Sequence, residues 1–132
     1  MTSNVFHLAI PTRSLDLAEQ FYIGGLGCRL ARKYDDRITM DFFGSQVVCH
    51  LSPDEDYSKP PKMYPRHFGI TFASREAFDD LYHRAVNANL TFFKTLFSRF
   101  EGKREEHLTF FLQDPSNNLL EFKFYYDSSM MY

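Results

Sequence analysis

This 132-residue chain has few cysteines, no basic cluster and no long apolar run. Cys28 and Cys49 form no CxxC pair and are too few for a disulfide framework, which predicts a reducing, cytoplasmic environment. No group of Lys and Arg is dense enough to follow a phosphate backbone, and the net charge is −2, so we expect no nucleic-acid partner. No apolar run approaches the length of a membrane span, and the N-terminal MTSNVFHLAIPTR lacks the basic and apolar regions of a secretory leader. We therefore also expect no membrane partner.

Apolar and aromatic residues are plentiful by contrast. Hydrophobic residues make up 44% of the chain and aromatic residues 17%, with 15 Phe and 8 Tyr. The length is that of one domain with its own core, and the aromatic content favours strands. We expect a single domain over residues 1–132.

The first half of the chain is similar to the second half at a spacing of 60 residues. The stretch FHLAIP, residues 6–11, has a near-copy in HFGITF, residues 67–72. Four identities support the alignment, namely His7 with His67, Ile10 with Ile70, Ser14 with Ser74 and Tyr22 with Tyr82. A duplicated module is therefore predicted.

Each copy is predicted to contain a strand, a helix, a second strand and a hairpin. Ser14 and Ser74 are expected to cap the two helices. The first copy is predicted to have strands at 5–10, 28–34, 38–43 and 46–51, a helix at 14–23 and a tight turn at Gly44-Ser45. The second is predicted to have strands at 66–72, 91–97, 108–113 and 118–124, and a helix at 74–86. The α+β fold is thus two βαβββ modules, about 4–52 and 66–126, with residues 53–65 as a linker rich in Pro and acids.

Alternation along these strands divides their side chains between two faces. One face is apolar and is expected to pack under a helix; in the hairpins it carries Ile38, Met40, Phe42, Val47, Cys49, Leu51, Leu108, Phe110, Leu112, Leu120, Phe122 and Phe124. The other face mixes ionisable groups with apolar or uncharged ones and includes His7, Asp41, Phe43, His50, His67, His107, Thr109, Glu121 and Lys123. Histidines within otherwise apolar strands indicate a concave, partly sheltered face, where a binding site would lie.

The paired modules, the histidines of the opening strands and the ending FFLQDPSNNLLEFK resemble the vicinal oxygen chelate superfamily. This group includes glyoxalase I, extradiol dioxygenases and bleomycin-resistance proteins. The resemblance implies that the two modules form a cupped mixed sheet with helices on the outer face and a divalent metal ion at its base. It also implies that His7, His50, His67 and Glu121 are the metal ligands. Imidazole with carboxylate suits Fe, Mn, Ni, Co or Zn, and the sequence does not decide among them.

Each of these residues also has a structural interpretation. The histidines could instead bind backbone carbonyls in a core, and His50 could contact substrate without binding metal. Glu121, His107 and Asp41 are candidate acid/base groups, although Asp41 could equally be a solvated strand carboxylate. Arg99 is expected in a solvated loop, with clamping of an acidic substrate as the alternative. Two departures count against particular activities: glyoxalase I has a carboxylate at the His50 position, and the acid tyrosine of extradiol dioxygenases aligns with Phe111.

Two functions follow from the resemblance. The first is a metal-dependent enzyme of the lyase, isomerase or dioxygenase type, acting on a small molecule that binds the metal through two adjacent oxygens. The alternative is a metal-free small-molecule binding protein of the bleomycin-resistance type. Such a chain could work as a monomer or as a homodimer.

Overall fold

A computed structural model describes residues 3–132 and divides into two compact units. The first unit contains the chain up to Pro60 together with 115–118, and the second contains 61–114 and 119–132. Met1 and Thr2, the first residues of the N-terminal stretch MTSNVFHLAIPTR, lie outside the described residues. Each unit has one mixed four-stranded sheet and one α-helix, which confirms the predicted pair of βαβββ modules.

The first unit follows the predicted order of elements closely. Its elements are β1 (His7–Thr12), α1 (Leu15–Glu19), β2 (Arg29–Lys33), β3 (Arg37–Phe42) and β4 (Ser45–Leu51). The sheet order is β1-β4-β3-β2, with β1 parallel to β4 and the other neighbours antiparallel.

The second unit repeats this topology. Its elements are β5 (Phe68–Thr71), α2 (Arg75–Asn87), β6 (Thr91–Arg99), β7 (His107–Gln113) and β8 (Leu119–Tyr125), followed by a 3₁₀ turn at Ser128–Met131 that was not predicted. The sheet order is β5-β8-β7-β6, again with the first pair parallel. Because β5 begins at Phe68, His67 lies just before the strand, and the prediction of a strand from residue 66 was too long. Arg99 is the last residue of β6, so its placement in a loop was wrong.

Both helices begin where their serines predict. The Ser14 hydroxyl oxygen accepts the Leu17 N–H at 3.2 Å, and that of Ser74 accepts the Ala77 N–H at 3.1 Å. The first helix then differs from prediction, because α-helical bonding ends at Glu19 and Gln20–Gly25 continue as a π-helix. This wider turn buries both Phe21 and Tyr22.

The apolar face predicted from strand alternation forms the core of each unit. In the first unit Ile38, Met40, Phe42, Val47 and Cys49 are all buried, whereas Leu51, at the end of β4, is exposed. In the second unit Phe110 lies under α2, with its ring centroid 5.4 Å from that of Phe78 and 5.3 Å from that of Tyr82. The opposite face of each sheet is therefore the one that presents the ionisable side chains.

The two hairpin turns differ in length and composition. Phe43 and Gly44 have φ values of +52° and +94°, the pattern of a type I′ turn, so the predicted Gly44-Ser45 turn was one residue late. Phe43 consequently belongs to the turn and not to a strand face. The longer turn at 115–118 is part of the first unit, where the Ser116 hydroxyl accepts the Arg13 N–H at 2.9 Å.

No helix within residues 3–132 is long and apolar enough to cross a membrane.

Candidate functional site

A buried carboxylate in the second unit lies between a histidine and a threonine. Glu121, on β8, is 7% exposed, and its Oε1 lies 3.1 Å from His67 Nε2. Its other oxygen, Oε2, accepts a hydrogen bond of 2.6 Å from the Thr109 hydroxyl on β7. Burying a carboxylate is costly unless polar or charged groups surround it, and these two contacts occupy both of its oxygens.

A hydrogen bond at Nδ1 fixes the orientation of the His67 ring. Its Nδ1 lies 2.6 Å from the Met63 carbonyl oxygen. A carbonyl can only accept, so Nδ1 carries the hydrogen and Nε2 of a neutral ring presents a lone pair to Glu121. Two lone pairs 3.1 Å apart repel each other. A proton or a cation must therefore lie between His67 Nε2 and Glu121 Oε1.

This pair fits two ligands of one metal ion. Imidazole nitrogen and carboxylate oxygen each bind zinc at about 2.0–2.2 Å, so neighbouring ligand atoms lie about 2.8–3.0 Å apart in octahedral and about 3.3–3.5 Å apart in tetrahedral coordination. The separation of 3.1 Å lies between these values and is closer to the octahedral one. Metal-binding histidines also commonly donate their second ring N–H to a carbonyl, as His67 does to Met63. Among residues 3–132, however, no group of three or more His, Cys, Asp or Glu side chains is close enough to hold a metal ion.

The backbone around Glu121 requires a glycine on the neighbouring strand. Gly69 of β5 is in register with Glu121, and a Cβ at position 69 would overlap the Glu121 carbonyl oxygen. A backbone atom cannot turn aside as a flexible side chain does, so β5 and β8 would have to separate.

We expect Gly69→Ala to lower the free energy of unfolding by about 1–3 kcal/mol, because overpacking against backbone must shift a strand. Urea unfolding measures this change. Gly24→Ala is the matched control, since nothing lies within 4 Å of the Cβ it would add. Equal stability of the two variants would contradict the close approach of β5 to β8.

A second histidine on the same sheet is buried in an aromatic setting. His107, on β7, is 4% exposed, and its ring centroid lies 4.4 Å from that of Tyr125. Its Nδ1 lies 2.9 Å from the Glu105 carbonyl oxygen and therefore carries a hydrogen, so Nε2 of the neutral ring is an acceptor. No contact of His107 with His67 or Glu121 occurs in the described residues.

The two candidate histidines of the first unit are exposed and are not brought together within it. His7 is in register with Gln46 on β4, whereas His50 is in register with Pro11 on β1. His7 and Pro11 are four residues apart on one strand, which corresponds to about 13 Å.

The register also decides which residue of β4 corresponds to Glu121. Glu121 lies opposite Gly69, and the matching residue of the first copy, Ala9, lies opposite Val48. Val48, and not His50, therefore occupies the equivalent position in the first unit.

Asp41 has a structural role in the first unit. Its Oδ1 accepts the Gly44 N–H at 2.8 Å across the hairpin turn, and its Oδ2 lies 3.6 Å from an Arg29 guanidinium nitrogen. This carboxylate stabilises the turn that it precedes, and half of its side chain remains accessible.

Sequence reasoning missed the residues that surround the His67–Glu121 pair. Strand alternation predicts that Thr109 lies on the ionisable face, but its position beside Glu121 follows only from the register in which β7 pairs with β8. The contacts of Tyr64, which lies in the predicted linker, had no sequence signal. Its ring centroid is 5.6 Å from that of His67, and its hydroxyl accepts a hydrogen bond of 3.2 Å from Arg99 Nη1. Phe111 completes the surroundings, with its ring centroid 5.4 Å from that of His67.

Comparisons with known proteins agree with this architecture. The family model described as Glyoxalase/Bleomycin resistance protein/Dioxygenase superfamily matches residues 4–122. No curated protein matches the chain significantly. A crystal structure of a glyoxalase/bleomycin resistance protein/dioxygenase from Alicyclobacillus acidocaldarius is 60% identical, with a TM-score of 0.92, and the match covers 98% of this chain and 96% of that one.

Two more distant structures share the fold. The fosfomycin resistance protein FosX from Listeria monocytogenes is 15% identical, with a TM-score of 0.73 and coverage of 99% of this chain and 100% of that chain. Lactoylglutathione lyase from Agrobacterium tumefaciens is 14% identical, with a TM-score of 0.68 and coverage of 93% and 94%.

Proposed function

Because this chain belongs to the glyoxalase, bleomycin resistance protein and dioxygenase superfamily, we propose that it is a metal-dependent enzyme. Its substrate is a small molecule that binds the metal through two adjacent oxygens. The named relatives include a lyase and a fosfomycin resistance protein, whose names both refer to small molecules.

The observation that carries this proposal is the contact between His67 Nε2 and Glu121 Oε1. These atoms are 3.1 Å apart, and both belong to groups that bind first-row divalent metals. A second hydrogen bond orients each group: His67 Nδ1 bonds to the Met63 carbonyl oxygen, and Glu121 Oε2 accepts from the Thr109 hydroxyl. We propose His67 and Glu121 as metal ligands. The proposal depends on the second unit alone, and the ligand roles of His7 and His50 remain predictions from the resemblance.

A bound divalent ion would supply Lewis acidity, polarising a substrate oxygen or stabilising an enolate. The chain itself orients the Glu121 carboxylate and limits the access of water to His67. Thr109 holds one Glu121 oxygen and leaves the other directed towards His67, while the buried Phe111 ring packs beside the His67 imidazole and limits its contact with water. Glu121 is the candidate group to take up a substrate proton, because its Oε1, unlike its Oε2, is not held by Thr109.

A metal-free binding protein is the second candidate function. Two observations favour it: Val48 is apolar where the corresponding residue of the other unit is Glu121, and no third ligand lies near the pair in the part of the chain that the structure describes. In that case His67 and Glu121 form an ion pair that shapes the binding face.

Metal analysis separates the two functions. Protein purified anaerobically without chelators is expected to carry about one equivalent of a first-row transition metal, or to take one up when titrated with Fe²⁺, Mn²⁺, Co²⁺, Ni²⁺ or Zn²⁺. Oxygen uptake with catechols and 2-oxo acids then tests for turnover. Protein that binds none of these ions, yet binds a small ligand and releases it unchanged, would overturn the enzyme in favour of the binder.

A further inference from the structure

The ionisable face of the second sheet carries an excess of positive charge. Residues that are directly paired across strands share a face, and the pairs here form three rows: Arg99, His107 and Tyr125; Phe97, Thr109 and Lys123; Lys94, Phe111 and Glu121. These rows contain three permanent cations and one carboxylate. That carboxylate already contacts His67 and Thr109.

None of the three cations is neutralised within residues 3–132. Lys94 lies over the Phe97 ring at 5.6 Å, and Lys123 Nζ donates to the Tyr125 hydroxyl at 3.4 Å. Arg99 contacts the Phe100 ring at 5.3 Å and the Tyr64 hydroxyl at 3.2 Å, and it has no carboxylate within 4 Å among those residues. Cations left without counter-ions on one face create a positive potential there, which attracts an anion.

Of the three cations, Arg99 is connected to the candidate centre through Tyr64. The Tyr64 ring contacts the His67 ring at one end of the residue, and the Tyr64 hydroxyl contacts Arg99 at the other. Because that hydroxyl accepts from Arg99, its own hydrogen is free to be donated elsewhere. The guanidinium keeps further N–H donors in a planar fork that suits a carboxylate. Two kinds of donor thus lie about one phenol ring away from His67.

We infer that Arg99 and Tyr64 form an anion-binding subsite beside the His67–Glu121 pair. The substrate therefore carries a carboxylate or similar anionic group, separated by about the width of an aromatic ring from the oxygens that bind the metal. This inference rests on the proposed function for the metal-binding end of the substrate only. The anionic end is recognised by Arg99 and Tyr64 whether or not a metal is present.

A matched pair of ligands tests the subsite. Catechol and 3,4-dihydroxybenzoate present the same two adjacent oxygens, and only the second adds a carboxylate across the ring. Calorimetric titration under anaerobic conditions, with metal-free and with Co²⁺-loaded full-length protein, gives both dissociation constants. We expect 3,4-dihydroxybenzoate to bind about tenfold more tightly than catechol, as a charge-assisted hydrogen bond would provide.

The variants assign that preference to particular side chains. In Arg99→Gln the ratio of the dissociation constant of catechol to that of 3,4-dihydroxybenzoate is expected to fall from about tenfold to about twofold or less, with catechol affinity unchanged. In Tyr64→Phe the same ratio is expected to fall to a value between about twofold and tenfold. Lys103→Gln is the control, because it removes a positive charge from the exposed loop between β6 and β7. Thermal unfolding of each variant checks that the fold is retained.

The outcomes distinguish this inference from the proposed function. Equal affinities in the wild-type protein, no binding of 3,4-dihydroxybenzoate at millimolar concentration, or a preference that survives Arg99→Gln would overturn the subsite. A carboxylate preference that Arg99→Gln removes supports it, with or without Co²⁺. If Co²⁺ leaves catechol affinity unchanged, the metal-dependent function fails while the anion subsite stands.

Discussion

Replacing Glu121 by glutamine is expected to abolish metal retention and leave the fold intact. Glutamine has the same shape as glutamate, but its neutral amide is a much weaker ligand for first-row divalent ions. We expect metal affinity to fall by more than about 100-fold. Loss of a group that only hydrogen-bonds to a ligand lowers metal affinity by about 10–100-fold, and loss of a ligand should have a larger effect. Turnover of any substrate that needs the metal would fall with it.

The hydrogen bonding around position 121 explains why the variant should fold. An amide oxygen can accept from the Thr109 hydroxyl as Glu121 Oε2 does, and an amide N–H can donate to the lone pair on His67 Nε2. The repulsion that requires a proton or cation between the two side chains in the wild-type protein is thereby removed. The buried site stays satisfied, so the apo-protein should unfold at nearly the same temperature as the wild-type protein.

Thermal unfolding with and without metal provides the measurement, together with metal analysis of the purified protein. A metal at 100 times its dissociation constant stabilises the native state by about 2.7 kcal/mol, and this increment should be absent in Glu121→Gln. Glu101→Gln, an exposed carboxylate in the same unit, is the matched control and should keep the increment. If Glu121→Gln retained both the metal and the thermal shift, Glu121 would not be a ligand.

The sequence predicted the architecture well because its signals are local. Serine caps, alternation along strands and the 60-residue repeat located both modules. The apolar parity matched the face that forms the core under each helix, although the opposite face of the second hairpin is also largely buried. The parity also placed Glu121, Thr109 and His107 on one face. The caps and the alternation depend on neighbouring residues alone, and the repeat needs only a comparison of the sequence with itself.

The register between strands could not be predicted from such signals, because it depends on residues that are distant in the sequence. The copies are offset by 60 residues at Ala9 and Gly69 but by 73 at Val48 and Glu121, because the second copy has longer loops, a longer helical segment and a longer strand β6. A strand position is therefore lost whenever an intervening segment changes length, so the 60-residue repeat could not show that Val48, and not His50, occupies the position of Glu121. The contact between Tyr64 and Arg99 was not predicted for another reason: Tyr64 lies in the irregular segment before β5, which has no periodicity from which to infer the direction of a side chain.

Thr109→Val tests whether the site is organised in advance of ligand binding. Thr109 is fully buried, and its hydroxyl is the hydrogen-bond donor to Glu121 Oε2. Valine keeps the shape and removes the donor, leaving a buried carboxylate oxygen unsatisfied. We expect the apo-protein to lose about 1–3 kcal/mol in free energy of unfolding. Metal affinity should fall by about 10–100-fold, because Glu121 is no longer held in one orientation.

Thr109→Ser separates the hydrogen bond from the packing. Serine keeps the hydroxyl and loses a methyl group, so it should lose some stability through the small cavity while recovering most of the metal affinity. Urea unfolding reports the first quantity and metal titration the second. Equal metal affinities for the valine and serine variants would show that the hydroxyl does not position Glu121. Because the stability of the apo-protein is measured without metal, the role of Thr109 in satisfying the buried carboxylate is tested even if the protein proves to be the metal-free binder.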